Sequence, residues 1–210
     1  GVIGPDGVGK STLLGLMAGS KQLQKGTMTV LDGDIGNVRH RRSVCPRIAY
    51  MPQGLGKNLY FELSVSDNVD FMARLFGLSS TERSAKVKEL LDATGLAPFP
   101  DRPAGKLSGG MKQKVGLCGA LVHEPDLLIL DELFSGMSMS EVASTLPIIE
   151  KLNAEGLSII MVEHRLKELF RIAHRVMVLN FGEKIAEGAP REIMESEAVK
   201  AAYLGTEEEG

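Results

Sequence analysis

A glycine-rich segment near the start of the chain has the residue types and the spacing of a phosphate-binding loop. Residues 4–11 read Gly-Pro-Asp-Gly-Val-Gly-Lys-Ser, which satisfies the pattern G-x-x-x-x-G-K-[ST]. Glycine lets the backbone turn tightly enough for successive N–H groups to face phosphate oxygens, and the following helix adds the positive end of its dipole. The residues predicted to bind a nucleotide here are Gly4, Pro5, Asp6, Gly7, Val8, Gly9, Lys10, Ser11 and Thr12.

Two side chains of the loop have separate chemical tasks. The Lys10 ammonium is expected to reach the β- and γ-phosphates, and the Ser11 hydroxyl is expected to ligate Mg²⁺. A chance match to the pattern occurs in roughly one chain per hundred of this length. Here, however, an apolar pair at residues 2–3 predicts a strand before the loop, and apolar residues at helical spacing within 10–18 predict a helix after it. This context favours a true phosphate loop, which binds the phosphates of a nucleotide together with Mg²⁺.

An acidic pair follows one of the longest apolar runs in the chain. Residues 127–130 have the composition of a strand buried on both faces, and Asp131 and Glu132 come directly after it. Two carboxylates at the end of a buried strand have no packing function, although Asp131 could instead cap the next turn. We expect Asp131 to hold Mg²⁺ through water and Glu132 to polarise the attacking water. Loss of such a general base typically lowers a rate by about 10²–10⁴.

Three more polar features each allow two interpretations. The segment Leu107-Ser108-Gly109-Gly110-Met111 precedes a helix, where Ser108 could simply be the N-cap. Gln53 comes directly after a short strand and could be an ordinary loop residue. His164 follows another apolar strand and could cap the next helix. Because the same chain contains a phosphate loop and an acidic pair, a functional role of these three features is favoured over the ordinary interpretations.

Together the motifs resemble those of the ABC (ATP-binding cassette) ATPases, in the same order and over essentially the whole chain. Residues 107–111 are similar to the signature motif L-S-G-G-Q of that family. Gln53 is similar to the Q-loop glutamine and His164 to the switch histidine. The resemblance implies a phosphate-loop NTPase of ABC type.

The resemblance also assigns roles to individual residues. It implies that the catalytic residues are Glu132, His164 and Gln53, and that the metal ligands are Ser11, Gln53 and Asp131. It further implies head-to-tail pairing with a second ABC ATPase domain. In that dimer Ser108, Gly109 and Gly110 of one chain face the γ-phosphate bound by the other chain, because the helix that follows aims its N-terminus there.

For function, the resemblance implies an enzyme, a Mg²⁺-dependent ATPase that hydrolyses ATP to ADP and phosphate as the cytoplasmic motor of an ABC transporter. The expected partner is a membrane-spanning permease, which would hold the chain at the cytoplasmic side of the inner or plasma membrane. No direct membrane insertion is expected, because no apolar run approaches the roughly 18 residues that span a bilayer. Cys45 and Cys118 lack metal-ligand spacing and are expected to be reduced thiols.

Two alternative functions stay open. One is a ribosome-associated soluble ABC ATPase, since residues 39–42 read Arg-His-Arg-Arg. The net charge of −3 and the lack of interleaved aromatic residues give this option less weight. The other is a nucleotide-binding module impaired in hydrolysis. It is motivated by three departures from the family pattern: Met111 for the signature Gln, Leu133 for the Pro after the acidic pair, and Ser138 for the D-loop Asp.

The two parts of the chain resemble different relatives. Residues 1–132 resemble ribosome-associated and drug-export-type ABC ATPases, whereas residues 133–210 resemble ATPases of branched-chain amino-acid importers. We therefore predict a recombined chain with a seam just after Glu132, with ordinary divergence as the alternative. The family's N-terminal strands, and the aromatic residue that stacks on adenine, precede the phosphate loop, and we expect them to be missing here.

The elements that must position these residues alternate between strands and helices. This alternation predicts an α/β fold in which helices flank a mainly parallel sheet. Between residues 63 and 97 the apolar period changes to 3.6, which predicts an inserted helical subdomain, and Ser79 with Glu82 has the spacing of a capping box at the start of one of its helices. The predicted division is an ATPase core at residues 1–54 and 116–210 and a helical signature subdomain at residues 55–115. Smaller predictions are an edge strand at 27–31, a basic loop at 39–42, a helix at 141–153 that contains Pro147, and a last helix that Pro190 opens.

Overall fold

The structure of the protein is a computed structural model, and it describes residues 1–54 and 56–204. The strands are β1 (Val2–Ile3), β2 (Thr29–Val30), β3 (Gly33–Asp34), β4 (Ile48–Met51), β5 (Leu127–Asp131), β6 (Ser158–Val162), β7 (Val176–Asn180) and β8 (Glu183–Gly188). The helices are α1 (Lys10–Met17), α2 (Val38–Val44), α3 (Val65–Leu75), α4 (Ser80–Thr94), α5 (Gly109–Leu121), α6 (Met139–Ala154), α7 (Leu166–Ile172), α8 (Pro190–Glu195) and α9 (Glu197–Leu204).

One sheet runs through the molecule in the order β4-β5-β6-β1-β7-β8. Its neighbouring strands are parallel except β7 and β8, which are antiparallel. The predicted mainly parallel sheet with flanking helices is therefore confirmed. Parallel strands end at the same edge of a sheet, so the residues that follow β4, β5 and β6 come together there. These residues include Gln53, Glu132 and His164.

Strand β5 lies inside the sheet, and all of its residues are buried. Leu128 and Leu130 pack into an apolar layer that also contains residues of α3, α5 and α6. Leu127 and Ile129 pack into a second layer, together with Leu14 of α1. This alternation follows from the two-residue period of a strand. Burial of each side chain of this size stabilises the fold by about 1.5–3 kcal/mol. Strand β5 is therefore fixed in the core and holds the acidic pair at its end in place.

Helices α3, α4 and α5 pack on one another. Ser64 caps α3 by accepting a hydrogen bond from the Asp67 N–H. Ser79 and Glu82 form the predicted capping box at the start of α4, which ends at Gly95 in a left-handed conformation. The helical content predicted between residues 63 and 97 is thus present, while the division of the chain into a core and a helical subdomain stays a prediction.

Residues 39–42, predicted to be a loop, lie in helix α2. The Asn37 side chain accepts hydrogen bonds from the backbone N–H groups of Arg39 and His40 and so caps the helix. The His40 ring lies 2.8 Å from the carbonyl oxygen of Val30 in β2. The loop prediction was wrong because it considered the charges of the segment and not the N-cap before it.

Three other elements differ from prediction in their extent. The edge strand predicted at 27–31 is limited to Thr29–Val30, which pairs with β3 in a separate antiparallel hairpin. Helix α6 contains Pro147 and continues to Ala154. The helix that Pro190 opens ends at Glu195, and α9 follows it. Among the described residues, no helix combines the length and the apolar composition that crossing a bilayer requires.

Candidate nucleotide site

The loop between β1 and α1 requires glycine at the predicted positions. The backbone angle φ is 149° at Gly4, 77° at Gly7 and 100° at Gly9, values that residues with a Cβ rarely adopt. Gly4 meets a second constraint, since a Cβ there would lie 2.1 Å from the carbonyl oxygen of Leu179 in β7. The loop therefore packs against the neighbouring strand along a path that only glycine allows.

Lys10 is the first residue of α1, and its side chain folds back over the loop. The Nζ atom donates hydrogen bonds to the carbonyl oxygens of Gly4 and Pro5, both at 2.8 Å, and lies 3.8 Å from the Asp6 carboxylate. The side chain is only 7% exposed. The loop thus contains a fixed positive charge beside the N-terminus of a helix, an arrangement that suits the terminal phosphates of a nucleotide.

Asp131, the last residue of β5, is 2% exposed. Neither of its carboxylate oxygens has a hydrogen-bond partner among the described residues. Burial is the main cause that raises the pKa of this carboxyl, and the negative charge of Glu132 adds to it, while the nearby Ser11 hydroxyl, the Gln53 backbone and Lys10 act in the opposite direction. A buried carboxyl without a partner is costly to the fold, so its surroundings suit a cation.

A site with one buried carboxylate, that of Asp131, fits Mg²⁺ better than it fits a transition metal. Mg²⁺ prefers oxygen ligands and often binds one or two carboxylates together with phosphate oxygens. Within residues 1–54 and 56–204, no three His, Cys, Asp or Glu side chains group around a possible metal position. Asp131 and the Ser11 hydroxyl therefore fit a metal that is shared with phosphates.

Glu132 brings the three predicted catalytic residues together. Its Oε1 atom accepts a hydrogen bond from Nε2 of Gln53 at 2.6 Å and lies 3.1 Å from Nε2 of His164. The His164 ring also lies 3.5 Å from the carboxylate of Asp6 in the phosphate loop. Side chains that follow three different strands therefore meet directly beside the loop.

A cavity of about 590 Å³ opens at this point. Its lining residues are Asp6, Gly7, Gly9, Lys10, Ser11, Thr12, Gln53, Glu132 and His164. The other predicted loop residues lie close by but do not line it: Gly4 and Pro5 hold Lys10, and Val8 packs on the apolar layer beneath α1. Asp131 ends the strand that carries Glu132.

The predicted signature residues Ser108, Gly109 and Gly110 are not among those that line the cavity in the described part of the chain. Ser108 is the N-cap of α5, where its Oγ accepts from the Met111 N–H at 3.2 Å and donates to Glu141 at 2.8 Å. A Cβ on Gly110 would lie 2.3 Å from the carboxyl carbon of Glu141. The N-terminus of α5 is therefore packed against the start of α6, away from the chain's own phosphate loop.

The three departures from the family pattern all have structural roles. Met111 is half-buried against the apolar core, and Leu133 is buried within it. Ser138 caps α6 and forms a capping box with Glu141. Hydrogen bonds from Ser138 and then from Ser108 lower the pKa of the Glu141 carboxyl. Serine at position 138 thus keeps a helix cap where the family has aspartate.

Two acidic residues were missed by the sequence reasoning. Glu163 is 3% exposed and accepts a hydrogen bond from the Phe134 N–H at 2.9 Å. Burial raises the pKa of Glu163 to about 8. Its position between an apolar strand and His164 was the available signal. Glu141 could have been found from the spacing S-x-x-E that it makes with Ser138.

The fold and the site define a class of protein. A parallel sheet, a glycine-rich loop between a strand and a helix, and an acidic pair at the end of a nearby strand are the parts of a phosphate-loop nucleotide-binding domain. A family model described as "ABC transporter" matches residues 1–135, which is more than half of the chain. The chain belongs to the ABC transporter family and is an ATP-binding domain of that family. A second model, "Branched-chain amino acid ATP-binding cassette transporter", matches residues 183–209.

Similar proteins include export and multidrug transporter components. The Nod factor export ATP-binding protein I of Burkholderia thailandensis is 36% identical over 198 residues, which cover 94% of this chain and 64% of the relative. A probable multidrug ABC transporter ATP-binding protein of Escherichia coli is 34% identical over 210 residues, which cover 100% of this chain and 36% of the relative. The chain thus spans less than two thirds of the length of these relatives.

Solved structures confirm the ABC-type fold. The cbiO1 protein from Clostridium perfringens, part of the ABC transporter complex cbiONQ, has a TM-score of 0.81 at 26% identity, covering 98% of this chain and 86% of that one. A dimeric ATP-binding cassette in a post-hydrolysis state bound to ADP and phosphate has a TM-score of 0.80 at 23% identity, covering 90% and 84%. The match at residues 183–209 agrees with the predicted importer resemblance of the C-terminal part. A recombined origin with a seam after Glu132 stays a prediction.

Proposed function

We propose that this chain hydrolyses ATP to ADP and phosphate with Mg²⁺ and that this reaction drives an ABC transporter. The proposal is carried by the contacts that the Glu132 carboxylate makes with Gln53 and His164 at the wall of the cavity that Lys10 also lines. A carboxylate fixed by two side chains beside a phosphate-binding loop has the position that a base for the attacking water needs.

The proposed roles follow from these positions. Glu132 orients the attacking water and accepts its proton, while Gln53 and His164 hold the carboxylate. Lys10 exchanges the loop carbonyls for the β- and γ-phosphate oxygens, and His164 shares the N–H that it directs at Glu132 with the γ-phosphate as negative charge spreads over that group. Phosphoryl transfer is promoted mostly by positioning and by charge stabilisation, which is what fixed side chains provide.

The proposed metal ligands are Ser11, Asp131 and Gln53. When bound, Mg²⁺ neutralises charge on the phosphates. Support comes from the unpartnered, buried carboxylate of Asp131 and from the lining position of Ser11. Gln53 uses Nε2 for its contact with Glu132, so its amide oxygen is the atom proposed to face the metal.

We also propose two protein partners. One is a second ABC ATPase domain in a head-to-tail dimer, since Ser108, Gly109 and Gly110 do not line their own chain's described cavity. The other is a membrane-spanning permease, with the chain on the cytoplasmic side. The names of the relatives support transport, with export as the direction for the first of them. They give no support to the ribosome-associated alternative.

The function is tested by ATP binding and hydrolysis of the purified chain and of two lysine variants. Lys10→Ala should abolish ATP binding in calorimetry, because Lys10 is the only lysine among the described residues that line the cavity. Lys25→Ala is the matched control, since Lys25 is exposed and lies outside that lining. Parental affinity in Lys10→Ala would overturn the assignment. ATP binding by the parental chain without phosphate release would favour the hydrolysis-impaired alternative.

A further inference from the structure

The residue proposed as the base sits in a conformation that its surroundings must maintain. Glu132 has a φ of 57°, which lies in the left-handed region. A residue with a Cβ rarely adopts this conformation, and it persists where neighbouring contacts fix it. The backbone turns here, because the Ser135 N–H donates to the Glu132 carbonyl at 3.1 Å. Whatever fixes this turn also sets the position of the Glu132 carboxylate.

Three consecutive residues of one segment hold the turn. The Glu132 N–H donates to the carbonyl oxygen of Val162 at 2.9 Å. The Phe134 N–H donates to the Glu163 carboxyl at 2.9 Å, and this hydrogen bond is buried. The His164 ring reaches Oε1 of Glu132 at 3.1 Å. Val162 thus binds the backbone of Glu132, Glu163 binds the backbone of Phe134, and His164 contacts the Glu132 carboxylate.

We propose that Glu163 is a positioning residue for ATP hydrolysis, which fixes the Glu132 turn by accepting the Phe134 N–H. The inference rests on the proposed function, because it assigns the placing of the hydrolytic base to a residue that does not touch the nucleotide. Val162 contributes a backbone atom and His164 contacts the carboxylate directly. Glu163 is therefore the member of the segment whose side chain acts on the turn alone.

The chemistry of Glu163 decides which substitution preserves this function. Its role needs an oxygen acceptor at the distance of Oε1, and it does not need a negative charge. Burial raises the pKa of Glu163 to about 8, so the protonated carboxyl is the main form at neutral pH. Glutamine has the same length and keeps a carbonyl acceptor. Aspartate keeps a carboxyl but is one methylene too short to reach the Phe134 N–H without movement of the turn.

The test compares Glu163→Gln with Glu163→Asp in the full chain. Glu163→Gln should hydrolyse ATP within about twofold of the parental single-turnover rate. Glu163→Asp should lose roughly tenfold to a hundredfold, since a displacement of about 1 Å can cost that much. Both should bind ATP with parental affinity in calorimetry, because neither change touches the cavity lining. Glu163→Met, of similar volume without an acceptor, should repeat the aspartate result.

A general structural role predicts a different outcome. If Glu163 had only such a role, its substitutions would lower ATP affinity and melting temperature together with the hydrolysis rate. The Gln and Asp variants would then behave alike. Parental rates in Glu163→Asp, or a rate loss in Glu163→Gln as large as that in Glu163→Asp, would overturn the inference. If Glu163→Met does not fold, the Gln and Asp pair still decides the matter. Absence of hydrolysis in the parental chain would instead refute the proposed function itself.

Discussion

Asp131 and Glu132 are neighbours in sequence, but their carboxylates lie in different surroundings. Asp131 is buried at the end of β5, and neither of its oxygens has a hydrogen-bond partner among the described residues. Glu132 leaves the strand, lines the cavity and is held by Gln53 and His164. An unpartnered buried carboxylate suits a cation, and an oriented carboxylate on a cavity wall suits a water molecule. Substitution of Asp131 is therefore expected to impair binding of the metal and nucleotide, and substitution of Glu132 is expected to impair hydrolysis.

We expect Asp131→Asn to weaken Mg²⁺-dependent ATP binding itself. Glu132→Gln should keep ATP affinity and lower single-turnover hydrolysis by about 10²-fold or more. His164→Ala should lower turnover with little change in affinity, since its hydrogen bond strengthens as charge develops on the γ-phosphate. Calorimetry and single-turnover kinetics on the three variants give the comparison. Hydrolysis at the parental rate by Glu132→Gln, with loss of hydrolysis in Asp131→Asn, would show that the two roles are reversed.

The Glu163 carboxyl should also make the stability of the protein depend on pH. Its pKa is raised from 4.5 to about 8 in the folded chain, mainly by burial. The folded state then binds more protons than the unfolded state between these values. Its contribution to stability is therefore complete below about pH 4.5 and is lost as pH rises towards 8.

Urea unfolding at pH 6 and pH 8.5 measures this effect. The parental free energy of unfolding should fall between the two pH values, by an amount on the order of 1–3 kcal/mol. Glu163→Gln cannot ionise and should show a clearly smaller fall. Equal falls in the two proteins would mean that the Glu163 carboxyl titrates at the same pH in the folded and unfolded states.

At the scale of elements, the phosphate loop depends on its contact with β7. Gly4 and Gly7 both have a positive φ, but their surroundings differ. A Cβ on Gly7 would have no atom of another residue within 4 Å, whereas a Cβ on Gly4 would lie 2.1 Å from the Leu179 carbonyl oxygen. Gly7 therefore reports backbone strain alone, whereas Gly4 combines the strain of a φ outside the left-handed helical region with a backbone collision.

Gly7→Ala should destabilise the protein by about 1–2 kcal/mol, which is the usual cost of a left-handed residue with a Cβ. Gly4→Ala should cost about 3 kcal/mol or more, because the loop or β7 must also move. Urea unfolding at one pH measures both values, and Gly7→Ala serves as the control for strain. Equal costs for the two variants would mean that β7 yields easily and does not fix the path of the loop.

The sequence predicted those parts of the fold and site that depend on local spacing. The phosphate loop, the acidic pair after β5 and the capping box at Ser79 each occupy a short segment in a fixed pattern. Helix α2 was missed because charged residues were taken for a loop and the Asn37 cap was overlooked. The contact between Glu163 and Phe134 could not be predicted, because it depends on the register of β5 and β6, and no local pattern encodes that register.

At the scale of the whole molecule, the signature residues Ser108, Gly109 and Gly110 do not line the nucleotide cavity in the described part of the same chain. The cavity supplies a lysine, a hydroxyl and the Glu132 cluster. The N-terminus of α5, with Ser108 as its cap, contacts Glu141 of α6 instead. Helix N-termini attract anions through their free N–H groups and dipole. A second chain, placed head to tail, would bring this N-terminus to the phosphate that the first chain binds.

We therefore expect ATP to induce dimerisation when hydrolysis is blocked. Glu132→Gln should sediment mainly as a monomer without nucleotide and as a dimer with Mg²⁺ and ATP. ADP should not induce the dimer, because it lacks the γ-phosphate that the α5 N-terminus would contact. Lys10→Ala combined with Glu132→Gln is the matched control: it should stay monomeric with ATP, since it cannot bind the nucleotide.

A Glu132→Gln protein that binds ATP in calorimetry yet remains monomeric at high concentration would exclude ATP-induced head-to-tail pairing for this chain. Ser138, where the family has aspartate, would then be the first residue to restore to aspartate in a repeat of the measurement.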